Sequence, residues 1–162
     1  MRGTPFRIGP ALAAADISDT ARMFEAYAAS LDVDLAYQGF AAELAGLPGL
    51  YAPPAGALLL ARGLGGAALG CVALRPMAAD GCCEMKRLFV APAGRGLGLG
   101  RALLDAVLGA AARLGYREMR LDTLPTMDAA IALYQSAGFR DIAPYYATPV
   151  AGTLFLARPL GT

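Results

Sequence analysis

Residues 82–101 have the sequence CCEMKRLFVAPAGRGLGLGR, whose pattern is the most informative in the chain. It predicts a strand over Cys82–Val90, then a glycine-rich turn, then the first turn of a helix. The helix continues as ALLDAVLGAAARLG over residues 102–115, where apolar side chains recur at helical spacing. Glycines at alternate positions let backbone N–H groups approach an anion, and the helix start adds the positive end of its dipole. The stretch therefore predicts a phosphate-binding loop.

The predicted contacts of this loop come from its backbone and from an arginine at each edge. The contributing residues are Arg95, Gly96, Leu97, Gly98, Leu99, Gly100 and Arg101. A Walker A loop is excluded because it ends in Gly-Lys-Ser/Thr, whereas Gly100 precedes Arg101 and Ala102. A dinucleotide fingerprint would need a glycine at position 101 or 103, and neither position has one. The bland alternative for the two arginines is ordinary surface charge.

The pattern R-x-x-G-x-G, formed by Arg95, Gly98 and Gly100, follows the strand end at Val90 by five residues. It resembles the acetyl-CoA loop of the GNAT superfamily, the GCN-related N-acetyltransferases. Glu84, six residues before Val90, matches the position where many members carry a catalytic glutamate. The stretch ALYQSAGF over residues 132–139 resembles the second signature of the family. The resemblance covers about residues 82–145, and its three-part spacing is more specific than any single piece.

Length and composition predict one domain over residues 1–162. The apolar runs at residues 57–61 and 67–74 are much shorter than the ~20 residues of a membrane-spanning helix, so no membrane association is expected. The N-terminal residues lack the apolar core of a secretory signal, which favours a cytoplasmic location.

The net charge and the residue composition limit which partners, metal sites and reactions the chain can have. The net charge of +1 gives no reason to expect a nucleic acid partner. The chain has no histidine, which excludes a Cys/His zinc site and any mechanism that needs a catalytic histidine. Its three cysteines are too few and too poorly spaced for a disulfide framework. We therefore expect no metal, and a reaction that uses carboxylates, tyrosines and backbone dipoles.

The order of predicted elements is βααβββαβαββ, which suits a mixed α/β sheet. The predicted strands are residues 6–8, 57–62, 67–75, 82–90, 117–123, 139–142 and 153–157. The predicted helices are residues 20–31 after a cap at 16–19, then 39–47, the helix that ends at 115, and 127–138. The resemblance implies the GNAT fold, a mostly antiparallel central sheet flanked by helices. It places acetyl-CoA in a splay between strands 82–90 and 117–123.

Acetyl transfer to an amine makes three demands. An alkylammonium, with a pKa of ~10.4, must lose a proton; the oxyanion needs a donor; and the departing thiolate needs a proton. The resemblance implies Glu84 as the base, directly or through a water, the Val90 N–H as the oxyanion donor, and Tyr134 as the acid. It further implies that the main chain of Leu88 and Phe89 pairs with the pantetheine arm.

Each catalytic assignment has a structural alternative. Glu84 is expected to share one face of an extended strand with Lys86, Leu88 and Val90, and its carboxylate could simply pair with Lys86 or Arg87. Tyr134 lies at helical spacing from Ala130 and Ile131, so its ring could simply pack in the core. Met127 stands where many family members carry an asparagine that contacts the cofactor.

The acceptor side is predicted from segments outside the shared core. Tyr37, Tyr145 and Tyr146, with the carboxylates Asp32, Asp34 and Glu43, would suit a cationic amine. A solvated acidic loop with structural tyrosines is the alternative.

The resemblance implies an N-acetyltransferase that acts on a primary amine of a small molecule by direct attack in a ternary complex. Two alternatives stay open, a protein or peptide N-terminal acetyltransferase and a non-catalytic acyl-CoA-binding module on the same fold. A homodimer is common in the family.

Overall fold

The computed structural model describes residues 5–161, which form seven strands and four α-helices. The strands are β1 (Phe6–Pro10), β2 (Ala57–Gly63), β3 (Ala68–Pro76), β4 (Cys82–Val90), β5 (Glu118–Thr123), β6 (Arg140–Asp141) and β7 (Leu154–Pro159). The helices are α1 (Ala14–Ala29), α2 (Phe40–Ala45), α3 (Leu99–Arg113) and α4 (Asp128–Ser136). Short 3₁₀ turns occupy Leu35–Gln38, Gly49–Tyr51 and Pro92–Gly94. Within this part of the chain, no helix has the length and apolar character needed to cross a membrane.

The strands form one mixed sheet in the order β1-β2-β3-β4-β5-β7-β6. The pair β4–β5 is parallel, and every other neighbouring pair is antiparallel. The crossover from β4 to β5 runs through α3, as a parallel connection requires. The predicted element order and the mostly antiparallel mixed sheet are therefore confirmed.

The parallel pair separates soon after it begins. Residues 82–84 of β4 pair with residues 118–120 of β5, and β4 then continues to Val90 without β5 beside it. The rest of β5 stays paired with β7 through Thr123. A wedge therefore opens between β4 and β5, at the splay that the resemblance implied; we call it the wedge.

Two apolar clusters hold the helices against opposite faces of the sheet. On one face, α3 packs Leu103, Leu104 and Val107, all fully buried, against the central strands. On the other face, Phe24 of α1 is fully buried against Tyr51, with ring centroids 6.1 Å apart. The buried stripe of α3 follows the predicted helical spacing, except that Leu114, the last position of the predicted pattern, is exposed.

The start of α1 differs from the prediction. The helix begins at Ala14, so Asp16 and Asp19 lie inside it and do not cap it. Both carboxylates instead bind Arg62 of β2, at 2.7 Å and 2.8 Å. The predicted cap is wrong because these aspartates have a tertiary partner that local sequence does not reveal.

Candidate active site

A bulge at Arg87 reverses the side-chain alternation of β4. Lys86 lies opposite Ala73 of β3 but Phe89 lies opposite Cys71, so β4 has one extra residue across the same span. Arg87 has a φ of 62°, which is uncommon for a residue other than glycine. The expectation that Glu84 and Lys86 share a face with Leu88 and Val90 is therefore wrong. Leu88 and Val90 pack toward the α3 side, whereas Lys86 shares its face with Phe89.

The bulge is fastened to the segment around α2. The Arg87 guanidinium donates to both carboxylate oxygens of Glu43, at 2.9 Å and 3.0 Å, and to Oε1 of Gln38 at 2.8 Å. Its central carbon lies 5.2 Å from the ring centroid of Phe40. Glu43, grouped with the acceptor-side carboxylates in the sequence, is therefore engaged by Arg87.

The main chain at the end of β4 is directed into the wedge. Ala91 N–H donates to the Leu69 carbonyl of β3 at 2.8 Å. Because N–H directions alternate in an antiparallel ladder, the N–H groups of Val90 and Leu88 point away from β3, toward the wedge. Phe89 pairs with Cys71 on the β3 side, so main-chain pairing with a ligand in the wedge is wrong for this residue. Its side chain nevertheless lines the adjoining cleft.

The glycine-rich loop ends at the start of α3. Gly96 and Gly98 have φ values of 80° and 76°, a conformation that glycine adopts readily, and Gly98 is the N-cap. Leu99 is 1% exposed and packs in the core. At the loop edges, Arg95 Nε lies 3.4 Å from the Val90 carbonyl oxygen, and Arg101 pairs with Asp105 at 3.0 Å.

A cleft lies between this loop, the end of β4 and the start of α4. It adjoins a smaller recess formed by β4, β5, α1 and the turn around Tyr37. Tyr27, Leu88 and Met127 line both spaces. The loop, the wedge and the recess therefore form one continuous path.

Glu84 is closed off from this path. It is 3% exposed, accepts a hydrogen bond from Tyr145 Oη at 2.7 Å, and is bound by Arg75 at 2.8 Å and 2.9 Å. The structural alternative proposed that Glu84 pairs with Lys86 or Arg87. That partner is wrong, because the cation bound to Glu84 is Arg75 of β3. Burial and the adjacent Glu84 charge raise the pKa of Tyr145, so its hydroxyl stays protonated as a donor.

Asp122 of β5 is a site residue that the sequence analysis did not single out. Its side chain is 8% exposed, lines the recess, accepts a hydrogen bond from Tyr146 Oη, and lies 3.6 Å from Lys86 Nζ. Burial, together with this hydrogen bond, raises the pKa of Tyr146. The available signal was a carboxylate in the alternating strand 117–123, beside the predicted splay.

The three predicted acceptor-side tyrosines lie around this region. The rings of Tyr145 and Tyr146 are 5.8 Å apart and pack on Phe155 at 5.0 Å and 5.3 Å. Tyr37 lines the recess, and its hydroxyl accepts a hydrogen bond from Gln38 at 3.1 Å. Asp32 and Asp34 are exposed, and Asp34 caps the turn at Leu35–Gln38 by accepting from Ala36 N–H at 2.9 Å. Asp34 therefore has a structural role, as the cap of this turn.

Tyr134 of α4 lies on the wall of the recess. It is 5% exposed and packs edge-on against Phe139, with ring centroids 5.9 Å apart. Burial raises the pKa of Tyr134, so the phenol is neutral at ordinary pH. The residue thus packs in the core and also borders the predicted reaction centre.

Known proteins are similar to this chain in sequence and in architecture. The family model described as "Acetyltransferase (GNAT) family" matches residues 21–139. An uncharacterized N-acetyltransferase of Schizosaccharomyces pombe is 42% identical over 141 residues, which are 87% of this chain and 86% of that protein.

Two solved structures share the fold. A GNAT-family acetyltransferase from Staphylococcus aureus superposes with a TM-score of 0.79 at 20% identity, over 96% of this chain and 99% of that one. A phosphinothricin acetyltransferase from Sinorhizobium meliloti, in complex with AcCoA, superposes with a TM-score of 0.71 at 22% identity, over 97% and 89%. By its sequence and its fold, the chain belongs to the GNAT acetyltransferase family.

Proposed function

We propose that this protein transfers an acetyl group from acetyl-CoA to a primary amine of a small molecule, by direct attack in a ternary complex. The observation that carries the proposal is the wedge, into which the main chain of Leu88 and Val90 points. The glycine-rich loop opens at one end of the wedge and the recess at the other. Membership of an acetyltransferase family, and the AcCoA complex of the Sinorhizobium structure, support the choice of cofactor.

The loop residues 95–101 bind the pyrophosphate in this proposal. Gly96 and Gly98 leave open space where a Cβ would stand, and the 15-residue helix α3 presents its positive end there. Leu88 and Val90 hold the pantetheine arm as an added strand would be held. Bound acetyl-CoA supplies the acetyl group as a thioester, and the Val90 N–H holds the oxyanion that forms on its carbonyl.

In the proposed reaction, Glu84 accepts the proton of the amine and Tyr134 supplies a proton to the leaving sulfur. Glu84 is closed off behind Tyr145, so we propose that a water carries the amine proton to it. Tyr134 donates its hydroxyl proton toward the departing sulfur from the wall of the recess. No covalent enzyme intermediate is needed.

The recess favours a small acceptor over a protein chain. Its walls come from α1, β4, β5 and α4, so an acceptor there is surrounded on several sides, as a small molecule is in its site. Aromatic and charged groups converge there, among them Tyr37, Lys86 and Asp122. The cytoplasmic location and the homodimer stay predictions.

Thermal unfolding with and without acetyl-CoA, beside an adenosine nucleotide control, tests the cofactor assignment. Ligand at ~100 times its dissociation constant adds about 2.7 kcal/mol of stability, an easily measured shift. Thiol release with a panel of amines then tests the reaction. Absence of a shift at saturating ligand would refute the cofactor site. A shift without thiol release would favour the non-catalytic acyl-CoA-binding module, and acetylation of peptide N-termini alone would favour the peptide-directed alternative.

A further inference from the structure

Lys86 is a buried cation whose hydrogen bonds are incomplete. Its side chain is 6% exposed and lines the recess. An ammonium group has three donors. In residues 5–161 its one hydrogen bond runs from Nζ to Oε1 of Gln38, at 3.1 Å, and that oxygen also accepts from Arg87 at 2.8 Å. Donors of Lys86 therefore remain for a ligand in the recess.

Asp122 provides the complementary charge beside Lys86. Its Oδ1 lies 3.6 Å from Lys86 Nζ, which is too long for a hydrogen bond, and its Oδ2 accepts from Tyr146. The other cations nearby are already bound, the buried Arg87 by Glu43 and the partly exposed Arg75 by Glu84. Among the described residues, Lys86–Asp122 is thus the one pair of opposite charges in which both members line the recess.

Without a ligand, this arrangement destabilises the folded protein. Burial lowers the pKa of Lys86, and the charge of Asp122 opposes that effect. Leu31 and Leu35 add apolar wall around the ammonium. A buried charge with unfilled donors is destabilising unless a partner supplies acceptors. An anionic oxygen is the partner that would satisfy Lys86.

We propose that the acceptor is an α-amino acid, whose carboxylate binds Lys86 and whose ammonium binds Asp122. This rests on the proposed function and names its substrate class. The two charged groups of an α-amino acid are attached to one carbon, so a zwitterion laid antiparallel to Lys86–Asp122 meets both charges of a pair only 3.6 Å apart. The amine then loses its proton along the route described for Glu84. Leu31 and Leu35 make part of the lining apolar.

The first test compares acceptors that differ only in the carboxylate. Initial rates of thiol release are measured for L-leucine against 3-methylbutylamine, and for L-phenylalanine against 2-phenylethylamine, with L-leucinamide as a third comparison. We expect kcat/KM to be at least ~10-fold higher for each acid, because a charge-assisted hydrogen bond is lost with its carboxylate. Equal or better use of the decarboxylated amines would overturn the proposal.

The second test removes the cation. Lys86→Met keeps the length of the side chain without its charge, and we expect it to raise KM for the amino acids at least ~10-fold more than it changes KM for 2-phenylethylamine. Arg62→Met removes a cation on β2 outside the recess and serves as the matched control. An equal loss for acids and amines in Lys86→Met would make Lys86 a structural residue and overturn the proposal.

A direct binding measurement separates this proposal from the proposed function. If acetyl-CoA stabilises the protein but no acceptor releases thiol, the transferase reaction fails, and calorimetric titration of L-phenylalanine into CoA-saturated protein decides the inference. Binding that Lys86→Met abolishes supports the amino-acid site, and no binding overturns it. Should Lys86→Met fail to fold, the comparison of L-leucine with L-leucinamide on the wild-type protein decides instead.

Discussion

Glu84 and Asp122 each accept a hydrogen bond from a tyrosine of one loop, yet their surroundings differ. Glu84 is held by Arg75 away from the recess, whereas Asp122 lines it beside Lys86. Carboxylates in different environments commonly take different tasks. The arrangement suits Glu84 as the final proton acceptor and Asp122 as the group that meets the acceptor.

Replacing Glu84 by glutamine tests that assignment. The amide has the same size and still accepts from Tyr145, but it cannot take a proton. We expect turnover to fall by about 100-fold or more, with little change in the acetyl-CoA-induced thermal shift. The measurement is thiol release across pH, with Asp122→Asn, expected to act mainly on KM, as the comparison. An unchanged pH–rate profile in Glu84→Gln would remove Glu84 as the base.

Replacing Tyr134 by phenylalanine separates its hydroxyl from its packing. The ring still packs on Phe139, so the free energy of unfolding should change little, while thiol release should slow by roughly 10–100-fold. Burial raises the pKa of Tyr134, so the hydroxyl stays protonated past pH 10 and should not produce an alkaline limb below that pH. Steady-state and single-turnover rates measure the effect. Full activity would return the residue to a packing role.

The family resemblance pointed to Glu84 and Tyr134 but not to Asp122. The first two lie inside the stretches that carry the resemblance. Asp122 becomes part of the site through Lys86 and Tyr146, which come from other segments and meet it only in the folded sheet. Partners that are distant in sequence leave no local pattern, so this part of the site required the structure.

At the scale of elements, α3 offers a matched pair of glycines. Gly98 precedes the helix and Gly115 follows it, both have positive φ, and neither would place a Cβ near another atom. Alanine at either position should cost about 1–2 kcal/mol of stability from backbone strain alone. Only Gly98→Ala should also weaken acetyl-CoA binding, because it alone disturbs the predicted anion loop. Thermal unfolding with and without ligand measures both effects, and equal ligand shifts in the two variants would contradict the loop assignment.

The hydrophobic periodicity predicted most helices and strands. The features that it missed involve contacts between residues that are distant in the sequence. The alternation in strand 117–123 and the buried stripe of α3 are local patterns, and both were confirmed. At the bulge, Arg87 binds Glu43, which is 44 residues away along the chain. The aspartates expected to cap α1 likewise bind Arg62 of β2. Neither interaction is visible in a window of neighbouring residues.

At the scale of the whole molecule, buried tyrosines predict alkaline unfolding. Burial raises the pKa of Tyr27 to about 12, and it also raises the pKa values of Tyr51, Tyr134 and Tyr145. In the unfolded chain these hydroxyls ionise near pH 10, so above that pH the folded state binds more protons than the unfolded state. Stability from these groups is complete below pH 10 and is lost as pH rises toward 12 and beyond.

Denaturant titrations at a series of pH values, with tyrosinate absorbance recorded in parallel, measure this effect. The free energy of unfolding should fall above pH 10, and tyrosinate from the buried residues should appear together with unfolding. Tyr51→Phe should flatten the fall slightly, because one buried hydroxyl is removed. Smooth ionisation of all tyrosines in the folded protein would contradict the prediction.

The bulge at Arg87 also constrains how the gene can vary. The extra residue lets Lys86 and Phe89 lie on one face of the sheet although they are three positions apart. Loss of codon 87 would leave both of these pairings in place, but it would remove the guanidinium that binds Glu43 and Gln38. Among homologues, a chain that lacks this extra residue should therefore also lack a carboxylate at the position of Glu43.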